Sequence, residues 1–264
     1  MPTDTDLSEA VTLTTPAPHV ALVTIQRPEA RNAVNVAVTQ GIARAVDVTE
    51  ADADTWVVII TGAGGKAFSA GADLKEVAAG RAMSLRTEAG GFAGFTHRKR
   101  AKPWIAAVEG FAFGGGCEIA LACDMIVASR SSAFALPEVK RGLIAGAGGI
   151  YRLARALPRN VALQLIATGA DLPAQRAHEL GMVNELTSEG EAVSTATALA
   201  LKICGCAPVA VCESLQVARL FADHDDATLH RMTHEAIKRN SQTEDNKEGP
   251  RAFLEKRSPR WLGR

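Results

Sequence analysis

At 264 residues, 47% of them apolar, the chain is long enough to bury one full core or a core with an appendage. Lys and Arg number 29, as do Asp and Glu, so no global field draws it to nucleic acid or an anionic membrane, and any phosphate must be recognised locally. The stretch Met1–Ala10 is polar and acidic, and no run reaches the roughly 18 apolar residues of a membrane span, so a cytoplasmic protein is expected.

In chain order, Val20–Ile25 reads as a strand, Val36–Thr49 as a helix and Trp56–Thr61 as a second strand. Leu85–Arg100 has helical spacing, Ile105–Val108 is a strand, and Cys117–Ala122 is an apolar helix. Met125–Ala128 and Gly149–Leu157 repeat the alternation, which predicts an α/β core. From Pro173 the strand signals stop. Helices are predicted over Pro173–Leu180, Ala192–Ile203, Val209–Ala222, Ala227–Arg239 and Pro250–Lys256. The division expected is an α/β core with the active site over 1–205 and a helical region over 206–264.

Glycine clusters follow several strands, so each is tested against phosphate-binding templates. After Val57–Thr61 comes Gly62-Ala63-Gly64-Gly65-Lys66, but Lys66 and Phe68 stand where a dinucleotide fingerprint wants glycine. A Walker loop needs longer spacing and a hydroxyl after the lysine, where Ala67 stands. Ser69 lacks the first glycine of a nucleophile elbow. The odd count of five cysteines suits free thiols in a reduced compartment, and Cys204, Cys206 and Cys212 have no partner pair at zinc spacing.

Gly114-Gly115-Gly116-Cys117-Glu118 differs from these. It follows a strand and opens a helix whose first N–H groups have no intrahelical acceptor. Such a turn either holds a developing negative charge or simply lets a helix pack close to a sheet. Glu118 and Asp124 are the only charges between Gly110 and Val127. In that surrounding Glu118 is either a carboxyl with a raised pKa, suited to proton transfer, or a residue on a solvent edge. Glu138 follows Pro137 at the start of a helical turn, where a surface carboxylate favoured by the helix dipole is the plain alternative. Gly142–Gly149 reads as a flexible loop able to close over a small substrate.

These pieces, together with Arg27-Pro28…Asn32-Ala33, Ala67-Phe68-Ser69-Ala70-Gly71-Ala72-Asp73-Leu74 and Glu248-Gly249-Pro250-Arg251-Ala252-Phe253-Leu254-Glu255-Lys256-Arg257, resemble the enoyl-CoA hydratase (crotonase) family from about Val11 to Lys256. The resemblance implies a spiral of ββα units with a C-terminal helical trimerisation region, assembled as a homotrimer or a dimer of trimers. It implies an acyl-CoA thioester as substrate, no separate cofactor (coenzyme A enters with the substrate), no metal, no nucleic acid and no membrane. Glu118 and Glu138 become the catalytic pair, with Glu118 on the attacking water and Glu138 on the α-carbon proton. The N–H groups of Ala72 and Gly115 form the oxyanion hole. Glu29, Ala30, Arg31, Ala70, Ala72, Asp73, Leu74, Lys75 and Gly115 contact substrate or CoA, as do Phe253 and Lys256, the last two from a neighbouring subunit.

Having both glutamates is the pattern of the family's hydratases, so hydration of a trans-2-enoyl-CoA, as in fatty acid β-oxidation, is expected. Phe134–Glu138 and Glu248–Arg257 look most like crotonobetainyl-CoA hydratases, which take a cationic acyl group. Isomerisation and non-catalytic acyl-CoA binding are the other readings. Ala145 and Ile150-Tyr151 depart from the usual hydratase loop. His230 and His234, one helical turn apart, are expected on a solvated face rather than on a metal, and the basic run His97–Lys102 is expected to be solvated. Asp73 is expected to act as a helix cap rather than an acid.

Overall fold

The structure, a computed structural model, describes residues 5–264. Strands β1 (Thr5–Ser8) and β2 (Val11–Ala17) form an antiparallel ribbon that leads into β3 (Val20–Ile25). Helix α1 (Val36–Ala51) starts where Asn35 accepts the Val38 N–H at 2.9 Å, and it buries Val38, Ile42, Ala45, Val46 and Thr49 on one face. Strand β4 (Val57–Gly62) pairs parallel with β3 and is buried at every residue. Next come β5 (Ala67–Ser69) and the short helix α2 (Leu74–Ala78).

The helix expected over Leu85–Arg100 does not form. A 3-10 turn at Ala82–Leu85 runs into a small hairpin, β6 (Arg86–Thr87) with β7 (Gly91–Phe92), and then into turns. The residues Gly91, Ala93 and Gly94 all have positive φ, a conformation that a right-handed helix excludes. The apolar spacing is real, but Leu85, Phe92 and Phe95 enter the core from turns.

Two strand–strand–helix units follow. The first is β8 (Trp104–Val108), β9 (Phe111–Phe113) and α3 (Gly115–Ala122); the second is β10 (Met125–Ser129), β11 (Ala133–Ala135), a 3-10 helix at Pro137–Arg141 and α4 (Gly149–Ala156). The chain continues through α5 (Arg159–Thr168), β12 (Leu172–Pro173), α6 (Ala174–Glu179), β13 (Glu185–Thr187), α7 (Ala192–Cys204), α8 (Pro208–Ala218), α9 (Asp226–Asn240) and α10 (Glu244–Leu254).

The strands form a seven-stranded sheet in the order β1-β2-β3-β4-β8-β10-β13 and a four-stranded sheet in the order β12-β11-β9-β5. Each unit gives one strand to the large sheet and the next to the small one, so the chain spirals as the ββα expectation requires. Side-chain alternation on the parallel strands separates two cores. Val58 and Ile60 face the cluster with Phe68, Phe95 and Trp104, while Val57 and Ile59 face α7. Ala192, Ala196 and Ala200, four residues apart, let α7 lie close to the sheet.

Strand β13 corrects the expectation that strands end before Pro173. It has only three residues and no apolar alternation, and it is recruited at the sheet edge by pairing with β10. Pro250 lies inside α10 rather than opening a helix; the helix starts at Thr243, whose Oγ1 accepts the Asn246 N–H at 3.1 Å. Among the described residues, no single helix is long and apolar enough to cross a membrane.

Candidate active site

The turn between β9 and α3 is built around close backbone contacts. Gly114 has φ +54°, and a Cβ there would stand 3.1 Å from Glu138 Oε1. At Gly71 (φ +86°) a Cβ would fall 2.7 Å from the Gly115 nitrogen, and at Gly116 it would fall 2.1 Å from the Ser69 oxygen. The segments Ser69–Asp73 and Gly114–Gly116 therefore touch along their backbones, and side chains at these positions would force them apart.

That contact brings two N–H groups to one place. The Val34 N–H donates to Gly71 O at 2.7 Å and the Asp73 N–H donates to Val34 O at 2.9 Å. This bridge turns the intervening Ala72 N–H to the opposite side, toward the cavity that Ala72 lines. On α3 the first intrahelical bond runs from the Glu118 N–H to Gly114 O, which leaves the Gly115 N–H at the helix start without an intrahelical acceptor.

Glu118 is 3% exposed, one turn into α3. Its Oε1 accepts the Ala147 N–H at 2.7 Å and the Gly149 N–H at 2.9 Å, at the start of α4. Burial pushes its pKa above the ordinary carboxylate range, the nearby Glu138 charge adds to this, and the two N–H groups and Arg152 oppose it. The Gly142–Gly149 loop is thus more than a flexible cover, since its end fixes one carboxylate. A Cβ at Gly149 would lie 2.8 Å from Glu118 Cγ, which accounts for glycine there.

Glu138 sits in the 3-10 helix that Pro137 opens. Its Oε2 is buried, and it has no hydrogen-bond partner among the described residues. Burial again raises its pKa, with Arg141 opposing. The two carboxyls line the same cavity in contrasting settings, one held by two donors and one with a bare oxygen.

The cavity has a volume of about 960 Å³. Glu29, Ala30, Arg31, Ala70, Leu74 and Lys75, the residues that the resemblance assigns to CoA contact, line this cavity. The Arg31 guanidinium lies 5.9 Å from the centre of the Phe111 ring. Asp73 also lines the cavity, and its roles are structural: it accepts the Lys75 N–H at 3.0 Å as the α2 cap and pairs with Arg27 at 3.0 Å. Leu85, Phe92, Leu143 and Ile144 add apolar surface, with Arg86 beside them. Leu143 and Ile144 fall in the expected Gly142–Gly149 loop, whereas Leu85, Arg86 and Phe92 are missed because Leu85–Arg100 reads as a helix. The aromatic next to a glycine pair at Gly90-Gly91-Phe92 is the signal that marks a turn there.

Phe253 and Lys256 are not brought to the cavity of their own chain; both are exposed, Phe253 by 84%. In the basic run His97–Lys102, His97 and Lys99 are exposed, whereas Arg98, Arg100 and Lys102 are tied down. Arg98 pairs with Asp47, Lys102 donates to Thr49 O and Asp52 O, and Arg100 lies 4.0 Å from the centre of the Phe95 ring. His230 and His234 are exposed, with their Nε2 atoms 3.3 Å apart.

The family model for enoyl-CoA hydratase/isomerase matches residues 17–264. A carnitinyl-CoA dehydratase from Salmonella enteritidis PT4 is 38% identical over 263 residues, which is 98% of this chain and all of the relative. The crystal structure of an enoyl-CoA hydratase from Mycobacterium tuberculosis H37Rv matches with a TM-score of 0.92 and 45% identity, covering 97% of this chain and 99% of the other. A carnitinyl-CoA hydratase from Mycobacterium avium matches with a TM-score of 0.76 and 44% identity over the same shares.

Proposed function

The chain belongs to the enoyl-CoA hydratase/isomerase family, and from that premise we propose that it adds water to a trans-2-enoyl-CoA to give the 3-hydroxyacyl-CoA. The observation that carries this reading is the buried carboxyl of Glu118 and the half-buried one of Glu138, with its buried Oε2, beside the N–H groups of Ala72 and Gly115 in one cavity.

The Ala72 and Gly115 N–H groups hold the thioester oxygen. Their bonds strengthen as charge moves onto that oxygen, where one lost donor is worth ~3–4 kcal/mol. The two carboxyls divide the proton work according to their surroundings. Two N–H donors at the N-terminus of α4 favour the ionised form of Glu118, so it takes a proton from water as the oxygen attacks the β-carbon. The bare, buried Oε2 of Glu138 favours its protonated form, and it gives that proton to the α-carbon. One water is consumed, one proton enters and one leaves the pair, and a shuttle between the glutamates resets the site.

Near the rim, Arg31 and Lys75 supply local positive charge for the CoA phosphates on a chain with no net charge. The tail helices leave Phe221, Ile237, Phe253 and Leu254 exposed, which supports packing between subunits in a trimer or a dimer of trimers, with Phe253 and Lys256 reaching a neighbour's CoA. Five free cysteines suit a cytoplasmic site of action.

A second reading, hydration of crotonobetainyl-CoA, draws on the likeness to the carnitinyl-CoA dehydratases and uses the same two glutamates. The test is a panel of trans-2-enoyl-CoA thioesters followed by loss of their conjugated absorbance, with the product identified by mass. Activity on crotonyl-CoA with a gain of one water is expected; no absorbance loss on any thioester sinks the reading.

A further inference from the structure

The two substrate readings differ in the charge at the far end of the acyl group, and the cavity wall bears on that difference. Arg86 stands opposite Phe92 in the β6–β7 pair. The Phe92 ring in turn lies against Gly115, where a Cβ would fall 2.4 Å from it. On its other side the Arg86 guanidinium donates to Gly146 O at 3.3 Å, one residue before the N–H that holds Glu118. Arg86 thus stands exposed on the cavity wall, with one hydrogen bond to the glutamate loop and Phe92 between it and Gly115.

The acidic groups in the cavity are already assigned. Asp73 is paired with Arg27, Glu29 lies on the CoA side, and Glu118 and Glu138 do the chemistry. Among the described residues Arg86 has no ion-pair partner. Its charge is felt by a neighbour: His97 is held below the usual imidazole range first by burial, then by Arg152 and Arg86. A quaternary ammonium beside Arg86 has no free carboxylate to meet and would lie against a like charge. A carboxylate would meet a planar guanidinium that matches it with two donors.

We propose that Arg86 reads the distal end of the acyl group, so that the preferred substrate is an enoyl-CoA ending in a carboxylate, and one ending in a trimethylammonium group is disfavoured. This rests on the enoyl-CoA hydratase reading, and it chooses within it.

The test uses three thioesters of matched length: glutaconyl-CoA, crotonobetainyl-CoA and the uncharged tert-butyl isostere of the latter. For the wild-type enzyme, kcat/KM for crotonobetainyl-CoA should lie about tenfold below that of its isostere, a partly exposed charge effect. Glutaconyl-CoA should rank first, with the differences in KM rather than kcat. Arg86→Met should remove the difference between the isosteric pair, and Arg86→Glu should invert it. Calorimetry with the saturated thioesters reads the same order without turnover.

If crotonobetainyl-CoA matches or exceeds its isostere in the wild type, or if Arg86→Glu leaves the ratio unchanged, the charge reading is wrong even though hydration stands. If the saturated thioesters bind in the stated order while no enoyl-CoA is hydrated, the hydratase reading fails and the charge reading survives.

Discussion

The cavity has two glycine-rich walls that are made differently. The wall from Ser69 to Asp73 and Gly114 to Glu118 is fixed by backbone touching backbone, and a Cβ at Gly71 or Gly116 would meet main-chain atoms at 2.7 Å and 2.1 Å. The opposite wall, Ala82 to Gly94, is a two-residue strand pair flanked by turns, with exposed Arg81, Ala82, Met83 and Arg86. The first wall places the Ala72 and Gly115 N–H groups and the Glu118 carboxyl, whose proposed roles tolerate little displacement. On the Arg86 proposal, the second meets the variable part of the substrate, where side chains decide and the backbone has room. We propose that chemistry falls to the rigid wall and selection to the adjustable one.

The largest effects should follow from the two glutamates, Glu118 on the rigid wall and Glu138 on the 3-10 helix beside it. Glu118→Gln and Glu138→Gln should each lower kcat by ~10²–10⁴, the usual value of lost acid–base catalysis, while thioester affinity changes little. Near-wild-type turnover in either variant, measured by enoyl absorbance, removes that residue from the mechanism.

Gly115→Ala probes where the walls meet, because its added Cβ would run into the Phe92 ring at 2.4 Å. Overpacking of this kind costs about 1–3 kcal/mol, so the melting temperature and kcat should both fall. Adding Phe92→Leu should restore part of each loss. Independent, additive effects of the two substitutions in a double-mutant cycle would show that the walls do not touch there in solution.

A third expectation concerns pH. The Glu138 carboxyl is raised above its ordinary value of 4.5, chiefly by burial. The folded protein therefore binds this proton more tightly than the unfolded chain does. Its contribution is fully present below pH 4.5 and is lost as pH rises through the higher folded value. Glu138→Gln, which cannot ionise, should melt at or above wild type near neutrality, and this advantage should shrink as pH falls toward 4.5. A melting-temperature difference that is constant with pH contradicts a raised carboxyl.

The smallest effect should come from Asp73→Ala. Loss of the α2 cap costs about 0.5–2 kcal/mol, read as a lower melting temperature. A collapse of kcat comparable to that of the glutamate variants would mean that Asp73 does chemistry.

The rigid wall was legible in the sequence because its demands are on residue type. Only glycine fits Gly71, Gly114 and Gly116, and a carboxylate amid apolar neighbours at Glu118 stands out against its surroundings. The central strands were legible for a similar reason, since burial on both faces leaves unbroken apolar runs such as Val57–Ile60. The Ala82–Gly94 wall was not, because the helical spacing of its apolar residues survives while positive φ at Gly91, Ala93 and Gly94 breaks the helix. Sheet membership of Glu185–Thr187 was also hidden, as it comes from pairing with β10 rather than from its own pattern. The N–H groups that orient Glu118 come from Ala147 and Gly149, about thirty residues away, and backbone donors carry no side-chain signature.

The central claim is that two glutamates add water rather than move a double bond. The direct measurement is the oxygen content of the product when 2-enoyl-CoA and 3-enoyl-CoA are each incubated with the enzyme in ¹⁸O-labelled water. We predict one labelled oxygen at the β-carbon from the 2-enoyl thioester, with the rate falling together in Glu118→Gln and Glu138→Gln. Consumption of the 3-enoyl thioester to its 2-enoyl isomer, with label absent from every product, would contradict the account and take Glu118 off the water.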